Sequence, residues 1–164
     1  MRKARQFSPG NMYHISSKLI PELHLSKKNL EQVYEYVKQL KNKYNIKIVS
    51  FNILSNHYHL QVFFPKGSKA HISKVMHWFN TVFAMFVNRT LKRTGSVLAS
   101  RFWSKLITSI QQAKNTIEYI INNPFNHYGI PAKYWVFSSY DAYKKGHNDL
   151  VTTHIDLIDY LHLE

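Results

Sequence analysis

The chain has 164 residues, 45% of them hydrophobic, with 5 Pro, 5 Gly and no Cys; this excludes a disordered chain, disulfides and thiolate metal sites, and suits one domain with a real core. The net charge of +13 points to a polyanionic partner, most often nucleic acid. No apolar run reaches the roughly 18–20 residues of a membrane-crossing helix, and the basic start MRKARQFSPG lacks a signal peptide's apolar stretch, so a cytoplasmic protein with no membrane partner is expected.

Residues 1–10 read as a basic arm ending in Pro9-Gly10. Met12 to Ser16 is a strand candidate. Ser26 can cap a helix over Lys27 to Tyr44, whose apolar positions Leu30, Val33, Tyr34, Val37, Leu40 and Tyr44 recur at three and four. Ile46 to Leu54 is rich in β-branched and aromatic residues, and Ser55-Asn56 is a turn signal. With His57 to Phe64 it predicts a hairpin.

Lys69 to Lys92 is a second helix, with Ile72, Val75, Met76, Phe79, Val82, Phe83, Phe86 and Val87 as its core stripe. After the loop at 93–96, Phe102 to Thr108 reads as a strand. Gln111 to Asn123 reads as a helix stopped by Pro124. Residues 125–146 look irregular and aromatic, and Ile155 to Leu161 reads as a short last helix.

The order predicts an α+β fold: a ferredoxin-like β-α-β-β-α-β antiparallel sheet with helices on one face, followed by a further helix carrying Tyr119. One domain is expected over 1–164. All 22 Lys and Arg precede His147, against 5 of the 9 acids. Residues 1–146 thus carry 22 − 5 = +17, and 147–164 form an acidic tail of −4.

Two segments carry chemistry. In Asn56-His57-Tyr58-His59-Leu60, strand alternation turns His57 and His59 to one side with Gln61. Tyr58, Leu60, Val62 and Phe64 turn to the other, which is apolar enough to pack on helices. Two adjacent imidazoles can ligate a divalent metal; two exposed histidines on a sheet would give the same short pattern. In the segment from Thr116 to Pro124, helical spacing gathers Ala113, Ile117, Ile120 and Ile121 on one side. Tyr119 falls well away from them, among Asn115, Asn122 and Asn123. Asn123 lies one turn beyond Tyr119, and its amide oxygen suits Mg²⁺ or Mn²⁺. A partly buried Tyr at a helix edge is the plain alternative.

The segment 56–60 resembles the His-hydrophobic-His signature of HUH nucleases. Tyr119-Ile120-Ile121-Asn122-Asn123-Pro124 resembles the tyrosine helix of REP-associated tyrosine transposases. Tyr13-His14-Ile15, Gly95 through Arg101-Phe102, and Tyr134 to Tyr140 resemble other pieces of that family, in the same order. Two departures fall outside these key positions: Leu98-Ala99 stands where the family often has Trp-Gln, and Phe137 replaces a Trp.

The resemblance implies a metal-dependent single-stranded DNA endonuclease and strand transferase, that is, a transposase. His57, His59 and Asn123 would hold Mg²⁺ or Mn²⁺, and Tyr119 would be the nucleophile that forms a 5′-phosphotyrosine and frees a 3′-OH. The substrate would be single-stranded DNA beside a hairpin, followed by Arg2, Lys3, Arg5, Arg101 and Lys105. The superfamily includes dimers, whereas the REP-associated group is usually monomeric, so monomer and homodimer both stay open. Two rivals remain: a non-catalytic single-strand-binding module, and an HUH replication initiator or relaxase.

Overall fold

The computed structural model describes residues 6–146 and 149–157. Four antiparallel strands form a sheet in the order β2-β3-β1-β4: β1 is Asn11–Lys18, β2 Lys47–Ile53, β3 His57–Phe64 and β4 Trp103–Ile107. Helix α1 (Lys27–Tyr44) joins β1 to β2, and α2 (Ile72–Thr90) joins β3 to β4. The predicted ferredoxin-like order is present.

Helix α1 starts where its chemistry dictates. The Ser26 side chain accepts from Asn29 N, and the Asn29 side chain returns the contact in a capping box. It ends at Asn45, which adopts φ 48°, a left-handed conformation that Asn tolerates better than most residues. Its buried Leu30, Val33, Val37 and Leu40 meet Val75, Met76, Phe79 and Phe83 of α2 and the Tyr58, Leu60, Val62 and Phe64 face of β3 in one core. Helix α2 begins three residues later than Lys69, with the His71 ring capping Ser73 N.

The opposite sheet face is only partly free. Helix α3 (Ile110–Ile121) lies on it, burying Ala113, Ile117 and Ile121 with Met12, Val49, Phe63 and Ile107 in a second apolar cluster. Burial of each such Ile is worth roughly 1.5–3 kcal/mol. Two side chains fix α3 to the strands: Asn52 Nδ2 donates to Ile120 O at 2.8 Å, and Gln61 Nε2 donates to Ala113 O at 3.3 Å.

The segment expected to be irregular is more ordered than its composition suggests. It holds α4 (Asn123–Tyr128), a 3₁₀ turn at Ala132–Tyr134, and α5 (Tyr140–Lys144). Residues 137–139 cover the outer edge of β2, with Ile53 N donating to Phe137 O at 2.9 Å and Ser139 N to Phe51 O at 3.0 Å. This satisfies a strand edge that would otherwise be open to pairing. Of the expected last helix, Ile155 to Leu161, residues 155–157 fall in a turn that spans 154–157, and the rest lies outside the described residues.

Candidate active site

Strand register builds the floor of the site. On β3, His57, His59 and Gln61 face away from α1 and α2, opposite Lys18, Ser16 and His14 of β1. On β4, Trp103 and Lys105 stand opposite Ser16 and His14. All of these side chains except the fully buried Gln61 line, with Tyr119, a cleft of about 540 Å³.

His57 and His59 are 5% and 8% exposed, so they are not a pair of solvated surface histidines. Burial drives the His59 ring down to about 3, with His14, His57, His127 and Lys18 adding repulsion. His14 falls to about 4 through burial and the nearby Lys105. His57 is also lowered by burial, and its contact with Asn123 only partly opposes this. At neutral pH the His14 and His59 rings are therefore uncharged and each offers one nitrogen lone pair, and burial biases His57 the same way.

Helix α3 presents Tyr119 on the side away from its buried apolar residues. The ring is 48% exposed, with its centroid 5.4 Å from that of His59 and 5.9 Å from that of His14. Asn123 does not share that helix. Helix α3 stops at Ile121, Asn122 caps both helices, and Asn123 opens α4 with Pro124 behind it. Proline is well tolerated in a first helical turn, where its missing N–H costs nothing. The break turns Asn123 inward to 1% exposure, with Oδ1 2.9 Å from His57 Nε2. The two side chains therefore approach the histidines separately, Tyr119 over His59 and Asn123 against His57.

A family model described as "Transposase IS200 like" matches residues 19–123. The chain belongs to the IS200-like transposase family. This transposase has the fold of a solved REP-associated tyrosine transposase bound to a REP hairpin: TM-score 0.74, 17% identity, 93% of this chain and 92% of that one covered. A putative transposase from Deinococcus radiodurans R1 matches with TM-score 0.50 and 13% identity, over 74% of this chain and 97% of that one. No curated protein matches the sequence.

Among the described residues of this IS200-like transposase, no three His, Cys, Asp or Glu side chains form a group able to hold a metal ion. The donor set at hand is two imidazoles and one carboxamide, and its hydrogen bonding tests whether it fits a cation. His57 Nδ1 lies 2.7 Å from Asn56 Oδ1, and Nε2 lies 2.9 Å from Asn123 Oδ1. A neutral ring has one N–H for these two acceptors. Asn123 Nδ2 is meanwhile buried without a hydrogen-bond partner. Turning the amide over would give Nδ2 to His57 and leave Oδ1 bare instead, so either orientation leaves a polar atom unsatisfied. A cation shared by Nε2 and Oδ1 would resolve the first conflict by leaving the ring's single N–H for Asn56 Oδ1, while Nδ2 stays without a partner. The 2.9 Å separation is also close to the roughly 3 Å between neighbouring ligands around Mg²⁺. His57 Nε2 and Asn123 Oδ1 are placed so that one nitrogen and one oxygen donor could share a divalent ion.

Of the candidate phosphate contacts, Lys105 lines the cleft. Arg101 lies in a separate groove with His77, Asn80 and Phe102. Arg2, Lys3 and Arg5 lie outside the described residues. Sequence reasoning missed His14, Trp103 and His127 as site residues. His14 and Trp103 sit on strands it did identify, where the register of a β1-centred sheet would have exposed them. His127, whose ring centroid is 4.6 Å from that of His57, lies on the unrecognised α4.

No helix among the described residues is long and apolar enough to cross a membrane.

Proposed function

We propose that this transposase cuts and rejoins single-stranded DNA through Tyr119, with His57, His59 and Asn123 holding Mg²⁺ or Mn²⁺. The observation that carries this reading is the approach of the Tyr119 ring to His59 while Asn123 Oδ1 meets His57 Nε2 in the same chain. A bound divalent ion draws charge from the scissile phosphate and orients it.

The chain's own residues do the rest. The Tyr119 oxygen attacks phosphorus, the P–O3′ bond breaks, and the phenolic proton is balanced by the one gained at the released 3′-OH. The DNA 5′ end stays on Tyr119 as a phosphodiester, so attack by a 3′-OH reverses the step and rejoins a strand. Lys105 offsets phosphate charge at the cleft rim. Trp103, 50% exposed, offers a face on which an unpaired base can stack. The structurally similar transposase holds a REP hairpin, and we take a hairpin with a single-stranded flank as the substrate here. One chain carries every residue the reaction needs, which favours a monomer acting in cis.

Incubation with end-labelled hairpin DNA and Mn²⁺ tests the reading. A covalent protein–DNA band in a denaturing gel, lost with chelator, is expected. Tight binding without any adduct would favour a passive single-strand-binding module.

A further inference from the structure

His14 lies beneath Tyr119 on the central strand β1, and the proposed chemistry gives it no part. Its Nε2 is 3.0 Å from Nδ1 of His59. Its ring is held by edge-on packing against Trp103, centroids 5.2 Å apart at 84°, and it also meets Tyr119 at 67°. The ring is thus clamped between β4 and α3, with one nitrogen aimed at the neighbouring histidine.

We propose that His14 is a positioning residue that accepts a hydrogen bond from Nδ1–H of His59 and so fixes the His59 tautomer whose Nε2 is free to bind a divalent cation. The inference rests on the reading of His59 as a metal ligand. In a contact between two neutral imidazoles one ring donates and the other accepts, so the distance alone allows either direction. Ligation decides it. His59 Nδ1 is occupied by His14, so a metal must be met by Nε2. A neutral ring with a lone pair on Nε2 carries its proton on Nδ1. His14 therefore accepts at Nε2 and carries its own proton on Nδ1.

The neighbouring histidine follows the same plan. If His57 Nε2 ligates the ion beside Asn123 Oδ1, the ring's one proton sits on Nδ1, where Asn56 Oδ1 at 2.7 Å accepts it. Each ring has its own acceptor behind it, one an amide and the other an imidazole. Such partners matter because a free neutral imidazole prefers the proton on Nε2, the tautomer that cannot ligate through that atom. A partner behind a ligating His commonly contributes roughly 10–100-fold in metal affinity.

The test uses the full chain with its histidines ¹⁵N-labelled, in the absence of metal, with long-range ¹H–¹⁵N correlation spectra and Mn²⁺ titration. In the wild type, His59 should show a protonated Nδ1 and an unprotonated Nε2. H14L should move the His59 proton to Nε2 and weaken Mn²⁺ binding roughly 10–100-fold. H14Q, whose amide oxygen can still accept, should keep the Nδ1–H tautomer and most of the affinity. Circular dichroism and urea midpoints identify any variant that has lost its fold, and the wild-type spectrum decides the tautomer without a variant. A wild-type His59 protonated on Nε2 overturns the proposal, as does a folded H14L protein that binds Mn²⁺ like the wild type. Wild-type protein that binds no Mn²⁺ at all overturns the ligand reading and this inference with it. That failure is distinct from a wrong tautomer, which the spectrum reports independently.

Discussion

Asn123 Oδ1 stands 2.9 Å from His57 Nε2, joining the first residue of α4 to the first residue of β3. The contact bridges two residues 66 apart in sequence. On the proposed reading it is one edge of the metal site. Asn123→Ala should raise the Mn²⁺ concentration needed for adduct formation roughly 10–100-fold, comparable to removing an orienting partner. His57→Ala and His59→Ala should abolish the adduct at any practical concentration while sparing most DNA binding. Gel assays across an Mn²⁺ titration measure both; an unchanged Mn²⁺ requirement in Asn123→Ala would remove it from the ligand set.

The cleft rim makes a prediction about affinity. Binding to a hairpin with a single-stranded flank should weaken linearly with log salt, by a slope of about −0.7 per single-strand phosphate contacted. Lys105→Ala should lower that slope by about one contact. Trp103→Ala should cost roughly 1–3 kcal/mol of single-strand affinity through lost stacking, and leave the salt slope unchanged. Fluorescence anisotropy at several salt concentrations separates the two effects. Blunt duplex binding equal to hairpin binding would contradict both.

Asn52 gives a prediction about how α3 is held. It is fully buried on β2, and its Nδ2 donates to the carbonyl of Ile120, next to Tyr119. Asn52→Ala should cost roughly 1–3 kcal/mol of stability, because a buried carbonyl loses its donor. The adduct should form more slowly with DNA affinity little changed, since the anchor behind the nucleophile is looser. Urea unfolding and single-turnover cleavage check the two parts.

A cis site predicts that inactive chains do not rescue one another. Mixing His59→Ala and Tyr119→Phe proteins should give no adduct, because in each chain the Tyr119 ring serves its own His59. Recovery of activity in the mixture would show that two chains build each site.

Much of the fold was legible because its signals are local. The Ser26 cap and the spacing of Leu30, Val33, Val37 and Leu40 mark α1 from Lys27 to Tyr44. Alternation along 57–64 marks β3 and sorts Tyr58 and Leu60 from His57 and His59. The less legible part depends on contacts distant in sequence. Pro124 reads as a stop, yet it sits in the first turn of a new helix, and that restart turns Asn123 into the site. The order in 132–144 comes partly from pairing with the edge of β2, which the segment's own composition does not announce. His14 is one residue in an ordinary strand pattern; only the register of β1 between β3 and β4 brings it beside His59.

The most direct test of the central claim is the chemistry of Tyr119 itself. Tyr119→Phe removes one oxygen from a half-exposed ring and should preserve fold and DNA affinity. Wild-type protein should be trapped on cleaved hairpin DNA with the adduct mapping by mass spectrometry to the peptide containing Tyr119. The DNA should be joined through its 5′ phosphate, with a free 3′-OH that a polymerase extends, and Tyr119→Phe should yield no adduct at all. An adduct that persists in Tyr119→Phe, or a tyrosine joined to the 3′ end of the break, would contradict the account.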